Sequence, residues 1–481
     1  LTEAVTGRGP KLDAGRVQRG AVLTLLGFGS GQVIRFLSSI VLVNHVFKEG
    51  DFGIAALVFG FMQGLMNFGD LGVVSSIVQN KEGHTREFRS TAWTVQLIRS
   101  SLLVLVAFLV SPLVAGFYQQ PVLEELIRYA AIGMLIGNLS PTSYHVASRN
   151  LGLGKTVGVD LASQVIGAGL SIGWGLLDPR PHVLVWSSVV SAAIRFALIR
   201  IFLGGDDWVF WHRPSLVAIL KFGKWACVGS LLTFATSQAD RLIFGKILHI
   251  DMLGVYSNAL NIIMVPGEVL GRLTVGVIFP VLCQRYAQGR LDVVLFRKSR
   301  LPIQIAAGIM LACLCGAGPA AIGFLFREEF SDAGWMVQIM AIGCWIGVVM
   351  DGPRMWLLIA TGHNRWSSLA AGFKLVGLVV LLPLGYALGG FPGALAGYAA
   401  ADIVKYMASL WGCRRIGLLD LRSDLMVTAW FLGTSAVAWG VRSSVMAATS
   451  SHFLSGLVVL LVVTALWAPL AIPYLRWRKT A

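Results

Sequence analysis

The sequence reads as an all-α integral membrane protein of about 14 transmembrane helices. Three observations carry this. Of its 481 residues, 56% are hydrophobic and only 13% are charged, whereas an average soluble chain is about 25% charged. The apolar residues come in long runs rather than at amphipathic spacing, and a helix that crosses a bilayer needs about 20 of them. The basic residues fall on alternate loops, as the positive-inside rule demands of a multi-span protein. Fourteen helices would consume roughly 280 residues and leave loops of roughly 13. That excludes a soluble enzyme, a nucleic-acid-binding domain and a membrane anchor bearing a large globular head. Transmembrane β-strands alternate apolar and polar residues over about ten positions, and these runs do not.

In chain order the runs are 20–47, 52–79, 91–117, 123–147, 157–177, 182–203, 225–248, 252–284, 301–325, 333–360, 367–388, 392–412, 425–446 and 453–475. Arg8, Lys11, Arg16 and Arg19 precede the first run. It is too long for a signal-peptide core of about 7–15 residues and is read as a retained first spanning helix; a chain opening on Leu1 need not open at its natural start. With the N-terminus cytoplasmic, the inner loops hold 25 basic residues and the outer loops 4, so both termini are expected inside. The formal net charge of +15 then reports topology, and no nucleic-acid partner is needed. The expected organisation is a basic cytoplasmic tail (1–16), an N-terminal six-helix bundle (17–204), a cytoplasmic linker (205–216), a C-terminal six-helix bundle (217–413), two additional transmembrane helices (414–475) and a cytoplasmic tail (476–481). A faint repeat relates the halves. Asp51-Phe52-Gly53-Ile54-Ala55 opens the second helix, and Met252-Leu253-Gly254-Val255-Tyr256 opens the eighth.

No catalytic or metal-ligand signature is present. Gly152-Leu153-Gly154-Lys155-Thr156 ends like a phosphate-binding loop, but Arg149 stands where that motif requires glycine. The informative residues are ionisable groups within the spans, which are costly in hydrocarbon and need a partner or a polar cavity. Arg99, Arg195 and Lys374 lie close enough to the inner surface to snorkel. Glu268 and Arg272 are spaced i, i+4, and Asp351/Arg354 and Asp402/Lys405 are spaced i, i+3, so each pair is expected to neutralise locally. Arg35 lies about 24 Å along its helix from Arg19. Neither it nor Asp70 has a local partner, and a polar cavity between helices is their natural home. The plainer alternative is that they neutralise each other. Pro266 and Pro280 should bend the long eighth run, because each removes a backbone donor, and they are hinge candidates.

Phe68-Gly69-Asp70-Leu71-Gly72 followed by Ile77-Val78-Gln79 resembles the second-helix pattern of oligosaccharide flippases. So do Asp240-Arg241-Leu242-Ile243-Phe244-Gly245-Lys246 and Leu253-Gly254-Val255-Tyr256-Ser257-Asn258-Ala259, with Phe279-Pro280. These flippases form the polysaccharide transporter (Wzx-like) branch of the multidrug/oligosaccharidyl-lipid/polysaccharide (MOP) exporter superfamily. The resemblance implies two six-helix bundles in a V around a central cavity (MOP/MATE-like), plus two C-terminal helices. It implies alternating access and export of an undecaprenyl-diphosphate-linked oligosaccharide across the bacterial inner membrane for O-antigen, capsule or exopolysaccharide synthesis. Arg35, Arg241 and Arg272 are then the cavity cations suited to a lipid diphosphate, because arginine grips phosphate oxygens as a bidentate fork. Asp70, Asp240, Glu268, Asp351 and Asp402 are the acidic coupling or cavity candidates. No cofactor is expected; coupling to an H+ or Na+ gradient, a polysaccharide polymerase and a chain-length regulator stand as open partners. Two alternatives are a cation-coupled drug antiporter of the same superfamily, which would favour acidic cavity residues, and a membrane polysaccharide polymerase or ligase. The latter usually needs a sizeable outer loop, and none is evident.

Overall fold

The computed structural model describes residues 14–480 apart from 70–72, 74–75, 78–81, 83–84, 150–152 and 206. Asp70 and most of the 1–16 tail therefore lie outside the described residues. All fourteen apolar runs overlap helix. The helices are α1 (Ala14–His45), α2 (Glu49–Phe68), α3 (Arg86–Tyr118), α4 (Val122–Asn138), α5 (Ser143–Arg149), α6 (Leu153–Leu177), α7 (Pro181–Leu203), α8 (Arg213–Ile247), α9 (Ile250–Leu273), α10 (Phe279–Ala287), α11 (Val293–Leu325), α12 (Ala333–Cys344), α13 (Gly352–Ala360), α14 (Asn364–Arg415), α15 (Leu421–Thr449) and α16 (His452–Thr480). Among the described residues, 9 helices are long and apolar enough to cross a membrane. One of these, α14, is two arms joined at Gly389 and Gly390.

Local chemistry sets the boundaries. The Thr85 hydroxyl accepts from the Phe88 N–H at 3.4 Å and the Asp292 carboxylate from Leu295 N–H at 2.6 Å, so each caps the start of a helix. Proline at the start of α7 follows the extended Arg180, where its missing N–H costs nothing. Gly390 turns the chain between the arms of α14 at φ 60°, a left-handed conformation open to glycine. Beside the turn, a Cβ on Gly385 would lie 2.2 Å from the Gly393 carbonyl oxygen, so the arms meet backbone to backbone.

The eighth apolar run is interrupted. Pro266 is buried inside the unbroken α9, whereas Pro280 opens α10 after a π-helical turn, Thr274–Ile278. Proline cannot donate to the preceding turn, and a widened ladder is one way to absorb the lost bond. A second π-helical turn, Trp345–Met350, precedes Asp351, whose N–H donates five residues back to the Ile346 carbonyl at 2.9 Å.

The chain forms two compact units. One combines the described part of 1–47 with 57–231, and the other combines 48–56 with 232–481. In the first, α1 packs on α6, α3 on α4, and α7 on both α4 and α6. In the second, α11 is the hub for α12, α15 and α16. Gly308 and Gly316 keep that hub close to its neighbours: added Cβ atoms would sit 2.2 Å from the Trp467 ring and 2.2 Å from the Ala438 Cβ. Trp345 stacks on Phe431 with ring centroids 4.3 Å apart. Its indole N–H donates to Thr428 at 3.1 Å, which satisfies the buried polar atom.

Candidate functional site

In the first unit, α1, α6 and α7 line an open cavity of about 540 Å³. Its lining follows from helical periodicity. On α6 the stripe is Asp160, Ser163, Gln164, Gly167, Ala168 and Ser171; on α7 it is Leu184, Ser187, Ser188, Ser191, Ala192 and Arg195. Both repeat at i, i+3, i+4, i+7, i+8, i+11, which is one face of a helix. α1 contributes Ile34, Arg35 and Ser38. Six serines and a glutamine thus face a space that otherwise belongs to an apolar bundle. The Gln164 Oε1 is buried without a donor among the described residues.

Asp160 is held from two sides. Arg195 donates to its Oδ1 through Nε at 3.1 Å and Nη2 at 3.0 Å, and the Tyr144 hydroxyl donates to Oδ2 at 2.6 Å. The Arg195 guanidinium also lies over the Tyr144 ring, 4.8 Å from its centroid. Arg195 and Asp160 neutralise each other, which leaves Arg35 as the cavity's excess charge. Arg35 is exposed, and its guanidinium has no partner among the described residues. The cavity can therefore take an anionic group at Arg35 and hydroxylated groups along the serine faces.

The other expected site residues lie in the second unit. Asp240 is buried and accepts from the Tyr256 hydroxyl, while its Oδ1 has no donor among the described residues. Arg241, half-buried, donates to the Gln238 side chain at 3.2 Å. Glu268 and Arg272 are both exposed on α9.

Two local pairings do not form. Asp351 pairs with Lys405 at 2.9 Å rather than with Arg354, and Asp402 pairs with Lys374 at 2.7 Å rather than with Lys405. Arg354 instead binds Asp424 on α15. The cause is packing. Asp351 immediately precedes α13, and its side chain bonds Ser409 and Lys405 on α14, so the cation facing it comes from another helix, and the i, i+3 neighbour points elsewhere. Nor do the three residues expected to snorkel reach for the surface. Arg195 is tied to Asp160, Lys374 to Asp402, and Arg99 donates to the Met66 carbonyl at 2.8 Å.

Sequence reasoning missed a second buried network. Arg300 donates to Asp420 at 2.9 Å and forms an ion pair with Asp424 at 2.5 Å, and the Tyr406 hydroxyl donates to Asp424 at 2.7 Å. Arg297 forks onto both Asp420 oxygens at 2.7 and 2.9 Å. Burial pushes the Asp420 carboxyl up, but the Arg297 hydrogen bonds and the charges of Arg300 and Arg297 outweigh it and hold it below its usual range. The available signal was two arginines, Arg297 and Arg300, on one side of α11 and two aspartates, Asp420 and Asp424, at i, i+4.

A family model for polysaccharide biosynthesis protein matches residues 46–334, more than half of the chain. The chain belongs to this family. Its curated relatives include proteins named for polysaccharide biosynthesis and transport. The chain is 22% identical over 399 residues to the teichuronic acid biosynthesis protein TuaB of Bacillus subtilis (strain 168), covering 78% of each. It is 21% identical over 401 residues to the lipopolysaccharide biosynthesis protein WzxC of Escherichia coli (strain K12), covering 81% of this chain and 78% of that one. Its fold matches the lipid II flippase MurJ in an inward closed conformation with a TM-score of 0.71 at 13% identity, over 95% of this chain and 99% of that one. The protein is thus a multi-pass membrane protein of polysaccharide biosynthesis with the fold of a lipid flippase.

Proposed function

We propose that this family member flips undecaprenyl-diphosphate-linked oligosaccharide repeat units across the bacterial inner membrane by alternating access, without covalent chemistry. The carrying observation is the cavity of the first unit: an arginine without a partner among the described residues, on a wall of serines, inside an apolar bundle. A diphosphate is anionic, and its attraction to a guanidinium grows as the local dielectric falls. Sugar hydroxyls exchange hydrogen bonds readily with serine and glutamine side chains. Arg241 and Arg272 of the second unit are further candidates for the diphosphate. The cytoplasmic placement of both termini is supported by the distribution of basic loops. A polymerase and a chain-length regulator would receive the flipped unit.

Coupling to an ion gradient would use a carboxylate that is not already neutralised. Asp351 and Asp402 are each paired with a lysine, so Asp240, with one oxygen lacking a donor among the described residues, is the favoured coupling group. Asp70 stays a candidate on sequence grounds.

The test is a reconstituted flipping assay with fluorescent lipid-linked oligosaccharide, run beside efflux of a cationic dye. Oligosaccharide translocation that falls at least tenfold in Arg35→Ala and is partly retained in Arg35→Lys is the expected result, since lysine keeps the charge but loses the fork. Dye efflux without oligosaccharide translocation would replace this reading with the antiporter.

A further inference from the structure

Between α7 and α8 the chain presents four consecutive large apolar residues to the outside. Trp208 is 52% exposed, Val209 71%, Phe210 38% and Trp211 56%. This segment is not a loose loop. Both Asp207 oxygens accept from buried Thr142, from its N–H at 2.7 Å and its hydroxyl at 2.6 Å. The Phe210 N–H donates to the Thr94 hydroxyl at 3.0 Å, and the His212 N–H to the Thr91 hydroxyl at 3.1 Å. These bonds anchor the segment to Thr142 and to α3, with its apolar side chains left partly to largely exposed.

The surface continues onto α8. That helix has 35 residues, about 52 Å at 1.5 Å per residue, against a hydrocarbon core of about 30 Å. Its first turns exceed what lipid tails cover, yet they expose Val217 at 57% and Leu220 at 46%. Their other face is fixed, because Ile219 is fully buried in a cluster with Phe88, Ala92 and Val95 of α3. Cations surround the patch. The Arg86 guanidinium lies 4.2 Å from the Trp208 ring centroid, Arg200 donates to the Gly205 carbonyl, and Arg213 and Lys221 are exposed. Against these stand exposed Glu87 and half-buried Asp207, and the Asp207 oxygens are already engaged by Thr142.

We propose that Trp208-Val209-Phe210-Trp211 and the outward face of the start of α8 form a preformed docking surface for the headgroup layer of a bilayer containing anionic phospholipid. The surface begins five residues after the last residue of a spanning helix, which places it at headgroup depth. Tryptophan partitions to that depth because its ring is apolar and its N–H is polar. The flanking guanidinium and ammonium groups meet lipid phosphates there, each contributing where the leaflet is anionic.

The full chain in nanodiscs tests this, independently of any flipping. Val209→Cys, in a variant whose six native cysteines are replaced, carries an environment-sensitive fluorophore. Quenchers are headgroup-labelled phosphatidylcholine or phosphatidylglycerol, and aqueous iodide. Expected is strong quenching by both lipids, weak quenching by iodide, and a phosphatidylglycerol preference that falls up to about fivefold for each cation removed in Arg86→Gln and Arg213→Gln. Strong iodide quenching would overturn the proposal by placing the segment in water. Shielding from all three quenchers would overturn it by assigning the patch to a protein, including a second copy. Equal quenching by both lipids, unchanged in the arginine variants, would overturn the anionic selectivity.

Discussion

Around the cavity of α1, α6 and α7, the one ion pair, Arg195–Asp160, has side chains 34% and 35% exposed, and Arg35 faces the space with no partner among the described residues. Around α11, α13 and α15, the side chains of Arg300, Arg354, Asp420 and Asp424 are all 2% exposed or less, and each is paired with at least one of the others. The first arrangement leaves charge available to something that arrives; the second uses its charges on one another. An ionised side chain inside a membrane protein therefore does not by itself mark a site. What marks one is an ion whose partner is missing where there is room for a ligand.

Substitutions should separate the two arrangements. The largest effect is expected in the buried network. Arg300→Met or Asp424→Ala strands an opposite charge away from water and should cost about 3–5 kcal/mol, read as a lower melting temperature of the purified protein and reduced accumulation in the membrane. Next, Lys374→Met should destabilise by a similar mechanism, and the double variant Lys374→Met/Asp402→Leu should recover most of the loss, because no unpaired charge remains. If the double variant melts no higher than the single, the Lys374–Asp402 pair does more than neutralise. Asp160→Asn should cost about 1 kcal/mol or less, as partly exposed pairs do; a loss matching that of Arg300→Met would erase the contrast between the units. Arg35→Ala should change stability by only about 0.5 kcal/mol while surface polysaccharide disappears from the cells.

The smallest effect concerns pH. The Asp420 carboxyl titrates below its unfolded value because of Arg297 and Arg300. Its contribution is therefore present above the unfolded pKa and is lost as pH falls through the folded one. Arg297→Gln removes part of that depression, so the midpoint of acid unfolding should move to higher pH. Because Arg297 is 49% exposed, solvent screening keeps this shift small. An unmoved midpoint would assign the depression to Arg300 alone.

The fourteen helical runs were legible because burial against lipid is a local property, readable along one dimension. Ion pairing was not, because it is decided between helices. Asp351 and Arg354 have suitable spacing, yet the start of α13 turns Asp351 toward Lys405 and Ser409 on α14, and no spacing rule within one helix reports that. The cavity stood between these cases. Arg35 was recognisable by its isolation, and the small polar stripes of α6 and α7 follow helical period in the sequence. That they face each other depends on α6 packing against α7. Pro280 was legible as a point of interruption. The π-helical turn that absorbs it was not, since its sequence, Thr274–Ile278, carries no distinguishing residue.

The hairpin of α14 bears on how the chain enters the bilayer during synthesis. One arm carries Lys374 and the other Asp402 and Lys405, and a charged residue at the centre of a lone inserting helix costs about 2.5–3.5 kcal/mol. Each arm entering alone meets that penalty in full. Once Gly389 and Gly390 bring the arms together, Lys374 and Asp402 neutralise each other at 2.7 Å before either has to face lipid. Delivery of this region to the membrane thus favours the two arms leaving the insertion machinery side by side. A lengthened or stiffened turn at Gly390 would be felt first as failed insertion rather than as failed transport.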